Sequence, residues 1–175
     1  MTLFGAVSEF LAREDVPCAV IGASALAVHG VSRSTYDINL LAVSPRVLEK
    51  PFWEGLDAPS ATIDIRHGDQ SDPLRGVVRI SQPEQRDVDI VVGRHQWQRD
   101  AIARAERARL LDKDVLVVCL ADLILLKLFA GGGQDLWDIE QLLPSVGAEM
   151  RAQVDKAIDV LPAESRAHWI RLTAC

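Results

Sequence analysis

Apolar residues recur with helical spacing over residues 2–14, where Leu3, Val7, Phe10 and Leu11 share one face and Thr2 can cap the first turn. Pro17 breaks that pattern. The next apolar run, 18–21, is short and closes on Gly22, as a buried strand does. Residues 24–29 are small and alanine-rich and predict a short helix. Residues 30–36 form a polar turn, and 37–43 alternate enough to predict a strand. Ser44-Pro45 puts proline where a helix begins. Segments 61–66, 76–80 and 88–92 have the length and β-branched content of strands, with a polar loop at 67–74. Residues 96–110 predict an arginine-rich amphipathic helix, and 115–118 a last strand. Beyond that the pattern is helical, over 120–130, 134–143, 148–161 and 163–172, with breaks at Gly131, Gly132, Gly133, Pro144 and Pro162. Strands followed by helices predict an α/β (α+β) layout. No repeat, low-complexity linker or composition shift divides the chain. The expectation is a single domain over 1–175, with an α/β core at 1–118 and a helical part at 119–175 packed on it.

The 175 residues suffice for a sizeable core, and 49 % hydrophobic with 25 % charged residues is an ordinary soluble balance. A formal net charge of −6 argues against broad non-specific binding to nucleic acid or an anionic membrane. The first residues lack a basic leader segment, and the most apolar stretch, 115–130, is too short for a membrane span and contains Asp122 and Lys127. A soluble cytoplasmic protein without a membrane partner is therefore expected. Cys18, Cys119 and Cys175 make no CxxC pair. Cys18 and Cys119 lie in apolar runs and are expected to be buried, and the odd count fits a reducing compartment. His29, His67, His95 and His168 lack metal-ligand spacing. The basic run Arg94, His95, Arg99, Arg104, Arg107 and Arg109 is expected to be a solvated face. The three glycines before Gln134 are a helix cap and turn and no P-loop, because no Gly-Lys-Ser/Thr follows them.

Asp37 and Asn39 lie two apart on a candidate strand, so their side chains share one face while Ile38 and Leu40 point to the core. Oxygen donors in that arrangement suit a hard cation such as Mg²⁺, and equally a solvated strand edge. Just ahead of them, Gly22, Ala23 and Ser24 allow close backbone approach, and their amides open a helix, where an anion is favoured.

The run Ile21-Gly22-Ala23, Ala25, His29-Gly30, Arg33, Thr35, Asp37-Ile38-Asn39-Leu40 resembles the signature of nucleotidyltransferases, and within them the branch that holds AbiEii-type toxins. The resemblance is close over residues 21–40 and looser over most of the chain. It implies a mixed sheet flanked by helices, and transfer of a nucleotide monophosphate from an NTP to an acceptor hydroxyl on RNA, a protein side chain or a small molecule. It implies three metal-binding carboxylates. Asp37 is the first. Asn39 stands where the second acid belongs. Asp89, in Val88-Asp89-Ile90, matches the third, with Asp64, in Ile63-Asp64-Ile65, as runner-up. Asp37 and Asp89 are then the catalytic acids, and Asp89 would take the acceptor's proton. Gly22, Ala23, Ser24, Arg33, Thr35, Lys127 and Asp135 would hold the nucleotide. The branch also implies a toxin-like setting with a cognate antitoxin-like partner. Lys127 stands in apolar company in Asp122-Leu123-Ile124-Leu125-Leu126-Lys127-Leu128; apart from the resemblance, it reads as a stem on the core with its head in water. An amide at position 39 brings no charge, so a weak or single Mg²⁺ site is expected. The alternative is a nucleotide- or partner-binding module that keeps the fold without turnover.

Overall fold

The computed structural model describes residues 1–174. Helix α1 (Leu3–Arg13) opens as the spacing predicts: the Thr2 hydroxyl accepts from the Gly5 N–H at 3.1 Å, and Leu3, Val7, Phe10 and Leu11 are buried. Strand β1 (Cys18–Ile21), helix α2 (Gly22–Val28) and strand β2 (Asp37–Ala42) follow. Two 3-10 turns, Pro45–Leu48 and Lys50–Gly55, then carry Trp53 onto Phe10, with ring centroids 5.4 Å apart. The Trp53 indole donates to the Val47 carbonyl at 2.8 Å, which satisfies the one polar atom of that buried ring.

The rest of the chain runs β3 (Thr62–His67), β4 (Leu74–Ser81), β5 (Asp87–Gly93), α3 (Gln96–Ala103), β6 (Glu106–Leu110), β7 (Lys113–Val117), α4 (Leu120–Ala130), α5 (Gly133–Leu142), α6 (Ala148–Ala157) and α7 (Ala163–Thr173). Seven strands form one mixed sheet in the order β3-β4-β5-β2-β1-β7-β6. The pairs β2–β5 and β1–β7 are parallel, and the others are antiparallel. Helix α4 is apolar nearly all round, so it must be covered. Helices α5, α6 and α7 pack against it, and Leu123, Ile124, Leu125 and Leu128 are buried. Its end is a left-handed Gly131, φ 65°, whose N–H returns to the Lys127 carbonyl at 2.9 Å.

The helix expected over 96–110 is corrected by the structure. It stops at Ala103, and Glu106–Leu110 is a strand paired with β7. Leu111 and Asp112 both adopt positive φ, 46° and 62°, and form the two-residue turn whose twist matches a hairpin. Helix propensity favours the Arg-rich run locally, but Ala108 and Leu110 gain burial only by alternating on a strand beside Val115 and Val117. Nor is the basic run one solvated face. Arg104 makes two bonds, 2.8 and 3.0 Å, to the buried Asp122. Arg94 donates to the carbonyls of Asp69, Gln70 and Leu74, tying the β3–β4 loop to the end of β5. Cys18 and Cys119 are half-buried, not fully buried; desolvation pushes each thiol up to about 11. Cys175 lies outside the described residues. No described helix is long and apolar enough to cross a membrane.

Candidate functional site

Alternation divides the sheet into two chemically distinct faces. Val20, Leu40 and Phe4 border an apolar groove of about 490 Å³ on the α1 side. Ile21, Asn39, Leu41 and Val91 point the other way, into a cavity of about 440 Å³ roofed by α4 and the start of α5. Only the second gathers the residues singled out in the sequence. Gly22, Ala23, Arg33, Thr35, Asp37, Asn39, Lys127 and Asp135 all line it.

The strand end of the cavity follows from register. Asn39 on β2 is level with Asp89 on β5, and Asp89 is level with Arg79 on β4. Asp37 is level with Asp87. Level residues on paired strands project on one side, so Asp37, Asn39, Asp87, Asp89 and Arg79 form one polar field. Asp37 and Asn39 open to the cavity. Asp89 shares their face, as expected, but it is buried and does not line the cavity. Both its oxygens are taken by Arg79, whose Nε lies at 2.8 Å and Nη2 at 2.6 Å in a bidentate pair. The Asp89 hydrogen bonds and charge, with the further pull of Asp87 and Asp37, hold the Arg79 guanidinium protonated more firmly than usual. Asp64, level with Arg79 on the outer strand, is exposed, bonded to Arg66 at 3.0 Å and outside the cavity.

Thr35 serves Asp37 directly. Its hydroxyl donates to the Asp37 carboxylate, and its oxygen accepts the Asp37 N–H at 3.3 Å. Gly22 follows β1 in the left-handed region, φ 66°. A Cβ there would stand 3.2 Å from the Asn39 amide nitrogen, so a glycine is what lets the turn close over Asn39. Ala23 also faces the cavity. Ser24 is buried outside its lining.

At the far end, Lys127 is 5 % exposed and does not carry its head to water. Nζ lies 2.6 Å from Asp138 Oδ2 and 3.1 Å from Asp135 Oδ1. Asp138 is fully buried and also accepts from Arg33 Nη1 at 3.0 Å and Gln134 Nε2 at 3.2 Å. Two cations and two carboxylates therefore meet in one network, the arrangement that makes buried charge tolerable.

Among the described residues no three His, Cys, Asp or Glu side chains gather as a ready-made metal cluster. Asp37 and Asn39 nevertheless fit one hard cation that keeps part of its water: a carboxylate and an amide, both residue types that carry oxygen donors, line the same cavity. Asp89 can add its charge only when Arg79 releases it.

Sequence reasoning missed three residues. Asp138 had a signal, since it stands one helical turn after Asp135 and shares its face. Arg79 had none, because only strand register sets it on Asp89. Gln98 is fully buried in the cavity wall, and nothing in its local sequence distinguishes it from a surface helix residue.

No known family profile matches the chain. No curated protein matches it by sequence. Solved structures do match. The antibiotic-resistance factor ANT(2'')-Ia, in solution, superposes with a TM-score of 0.57 at 15 % identity, over 98 % of this chain and 94 % of that one. The same factor in complex with adenylyl-2''-tobramycin gives 0.55 at 15 %, over 97 % and 96 %. A Thermotoga maritima protein described as a nucleotidyltransferase gives 0.52 at 14 %, over 83 % and 96 %. The chain thus has the mixed α/β fold of nucleotidyltransferase structures, a seven-stranded mixed sheet flanked by helices, over nearly its whole length.

Proposed function

We propose that the cavity binds a nucleoside triphosphate together with a divalent cation, Mg²⁺ being the expected one, and transfers the nucleotidyl group to an acceptor hydroxyl. The observation that carries this reading is the pair Asp37 and Asn39, side by side on β2 and open to a cavity whose rim is the Gly22–Ala23 turn. The cavity lining holds two cationic side chains, Arg33 and Lys127, and two acids, Asp37 and Asp135. Such a lining does not neutralise a triphosphate by itself, which favours a nucleotide that arrives with a cation. Asp37 and Asn39 would hold that cation, and when bound it supplies charge neutralisation along the phosphates.

In the transfer, the acceptor oxygen bonds to the α-phosphorus as the bond to the β-phosphate oxygen breaks, and pyrophosphate departs with the electron pair. Thr35 fixes the Asp37 carboxylate. The Gly22 and Ala23 amides face the triphosphate, with Arg33, Lys127 and Asp135 behind it. Asp89 takes the acceptor's proton after Arg79 has swung off it. Positioning and charge supply most of the rate.

The acceptor is RNA, a protein side chain or a small molecule; the tobramycin adduct held by ANT(2'')-Ia favours the last. The resemblance of residues 21–40 to AbiEii-type toxins supports a toxin-like setting with an antitoxin-like partner. A second reading is a module that binds nucleotide without turnover. It is favoured by one observation: an amide occupies position 39 while Arg79 occupies both oxygens of Asp89. NTP titration with and without Mg²⁺, followed by a search for labelled product from α-phosphate-labelled NTPs in cell extract, separates the two. Mg²⁺-dependent binding with product supports transfer, binding without product supports the module, and absence of binding ends both.

A further inference from the structure

Among the described residues, two buried side-chain nitrogens have no hydrogen-bond partner, Arg94 Nε and Gln98 Nε2. Only Gln98 lines the cavity. Its other amide atom is fully committed. Oε1 accepts from the backbone N–H of Arg94 at 2.8 Å and of His95 at 2.9 Å, at the first turn of α3. Two donors on one side fix which way the amide points, because turning it over would set NH₂ against N–H. The chain also makes room for it. A Cβ at Gly93 would come within 2.5 Å of Oε1 and 2.8 Å of the amide carbon, so no other residue at 93 leaves this side chain in place. An NH₂ group is thus held, desolvated and without an acceptor, in the wall of the cavity, an arrangement costly unless something in the cavity accepts its hydrogens.

The surroundings indicate the shape of that acceptor. Leu74, Val91 and Leu126 present apolar walls nearby. The Phe129 ring lines the same cavity and is braced edge-on by His95 and Trp97, at centroid distances of 5.4 and 5.3 Å. An apolar slot with a fixed aromatic ring suits a flat heterocycle. A glutamine free to rotate reads adenine with its donor and acceptor together. Gln98 cannot, because its oxygen is spent on Arg94 and His95.

We propose, on the reading of the cavity as a nucleotide site, that Gln98 reads the base and selects one whose edge offers acceptors only. Guanine meets this with two acceptors, O6 and N7, one for each amide hydrogen, where uracil offers O4 alone. Adenine places an amino donor beside its N7, and that donor opposes the Gln98 NH₂. Gln98 is a specificity residue, and a guanine nucleotide is the ligand it takes.

The test is isothermal titration of the full chain with GTP, ITP, ATP and UTP in the presence of Mg²⁺. Wild-type protein binds GTP and ITP alike, and each roughly tenfold or more tighter than ATP or UTP, since ITP keeps O6 and N7 and lacks only the amino group on the opposite edge. Gln98→Glu keeps an oxygen for the Arg94 and His95 N–H groups and turns the donor into an acceptor. It should reverse the GTP-to-ATP ratio and lower the melting temperature, because the new carboxylate is buried without a counter-charge. The wild-type ratios test the proposal even where the variant does not fold. Equal binding of GTP and ATP, or a Gln98→Glu protein with the wild-type ratio, overturns the base reading alone and assigns the Gln98 NH₂ to a bound water. Failure of every NTP to bind overturns the nucleotide site itself and this inference with it.

Discussion

Both ends of the cavity carry charged side chains, but they satisfy them in opposite ways. At the α4–α5 end, Lys127 lies between Asp135 and Asp138, Arg33 closes on Asp138 from the loop before β2, and the group is largely out of water. Every charge there has a partner from the protein. At the β2 end, Asp37 is hydrogen-bonded by a neutral hydroxyl, from Thr35, and Asn39 brings no charge, while Arg79 on the same face is bound to Asp89. The first end holds the fold together where the helical part meets the sheet. On the proposed reading, the second is completed by the cation that enters with the nucleotide. Charge in a cavity wall is therefore no guide to function until its partners are counted.

The largest effect that follows falls on the paired end. Asp138→Ala leaves the buried Lys127 with Asp135 alone and removes the acceptor of Arg33, and should cost up to about 3–5 kcal/mol of unfolding free energy. Urea denaturation measures it. A loss below about 1 kcal/mol, the range of surface substitutions, would show that Lys127 reaches water and that the two ends do not differ. Asp37→Asn sharpens the contrast from the other side. It should leave stability within about 1 kcal/mol yet weaken Mg²⁺-dependent NTP binding roughly tenfold or more, because a carboxylate is the stronger donor to a hard cation. A variant that melts as early as Asp138→Ala would make Asp37 a structural residue.

Arg79→Met tests whether the β2 end is held short of cations by its own arginine. Release of Asp89 should tighten Mn²⁺ binding several-fold in a spectroscopic titration, and Mn²⁺ should raise the melting temperature more than in the wild type. Unchanged Mn²⁺ affinity would separate Asp89 from the cation site. The smallest effect expected is from Asn39→Asp. It restores one charge beside Asp37, so Mg²⁺ affinity should rise a few-fold. Nucleotide transfer should rise with it if the site is active. Efficient transfer by the wild type at low Mg²⁺, with no gain from Asn39→Asp, would place Asn39 outside the cation site.

What the sequence determined by itself is what short-range geometry encodes. The face of α1, the cap at Thr2 and the close of α4 at Gly131 depend on residues within a turn or two of one another, and they stand as read. Asp37 and Asn39 share a face because a strand has a period of two, whatever it pairs with. The Gly22 turn is legible for the same reason. Tertiary structure decided what depends on partners distant in sequence. Glu106–Leu110 carries helix-forming residues, and only the β7 neighbour across a left-handed two-residue turn makes it a strand. Arg79 meets Asp89 through the β4–β5 register, and no local pattern states that register. Lys127 reads from its own helix as a snorkelling residue. It is buried because α5 brings Asp135 and Asp138 over it, and a charged group stays out of water only where its counter-charges are already in place. Gln98 looks like any polar residue early in a helix. Its meaning arises from Gly93, from two backbone donors and from the cavity wall it completes, a convergence that exists only once the chain has folded.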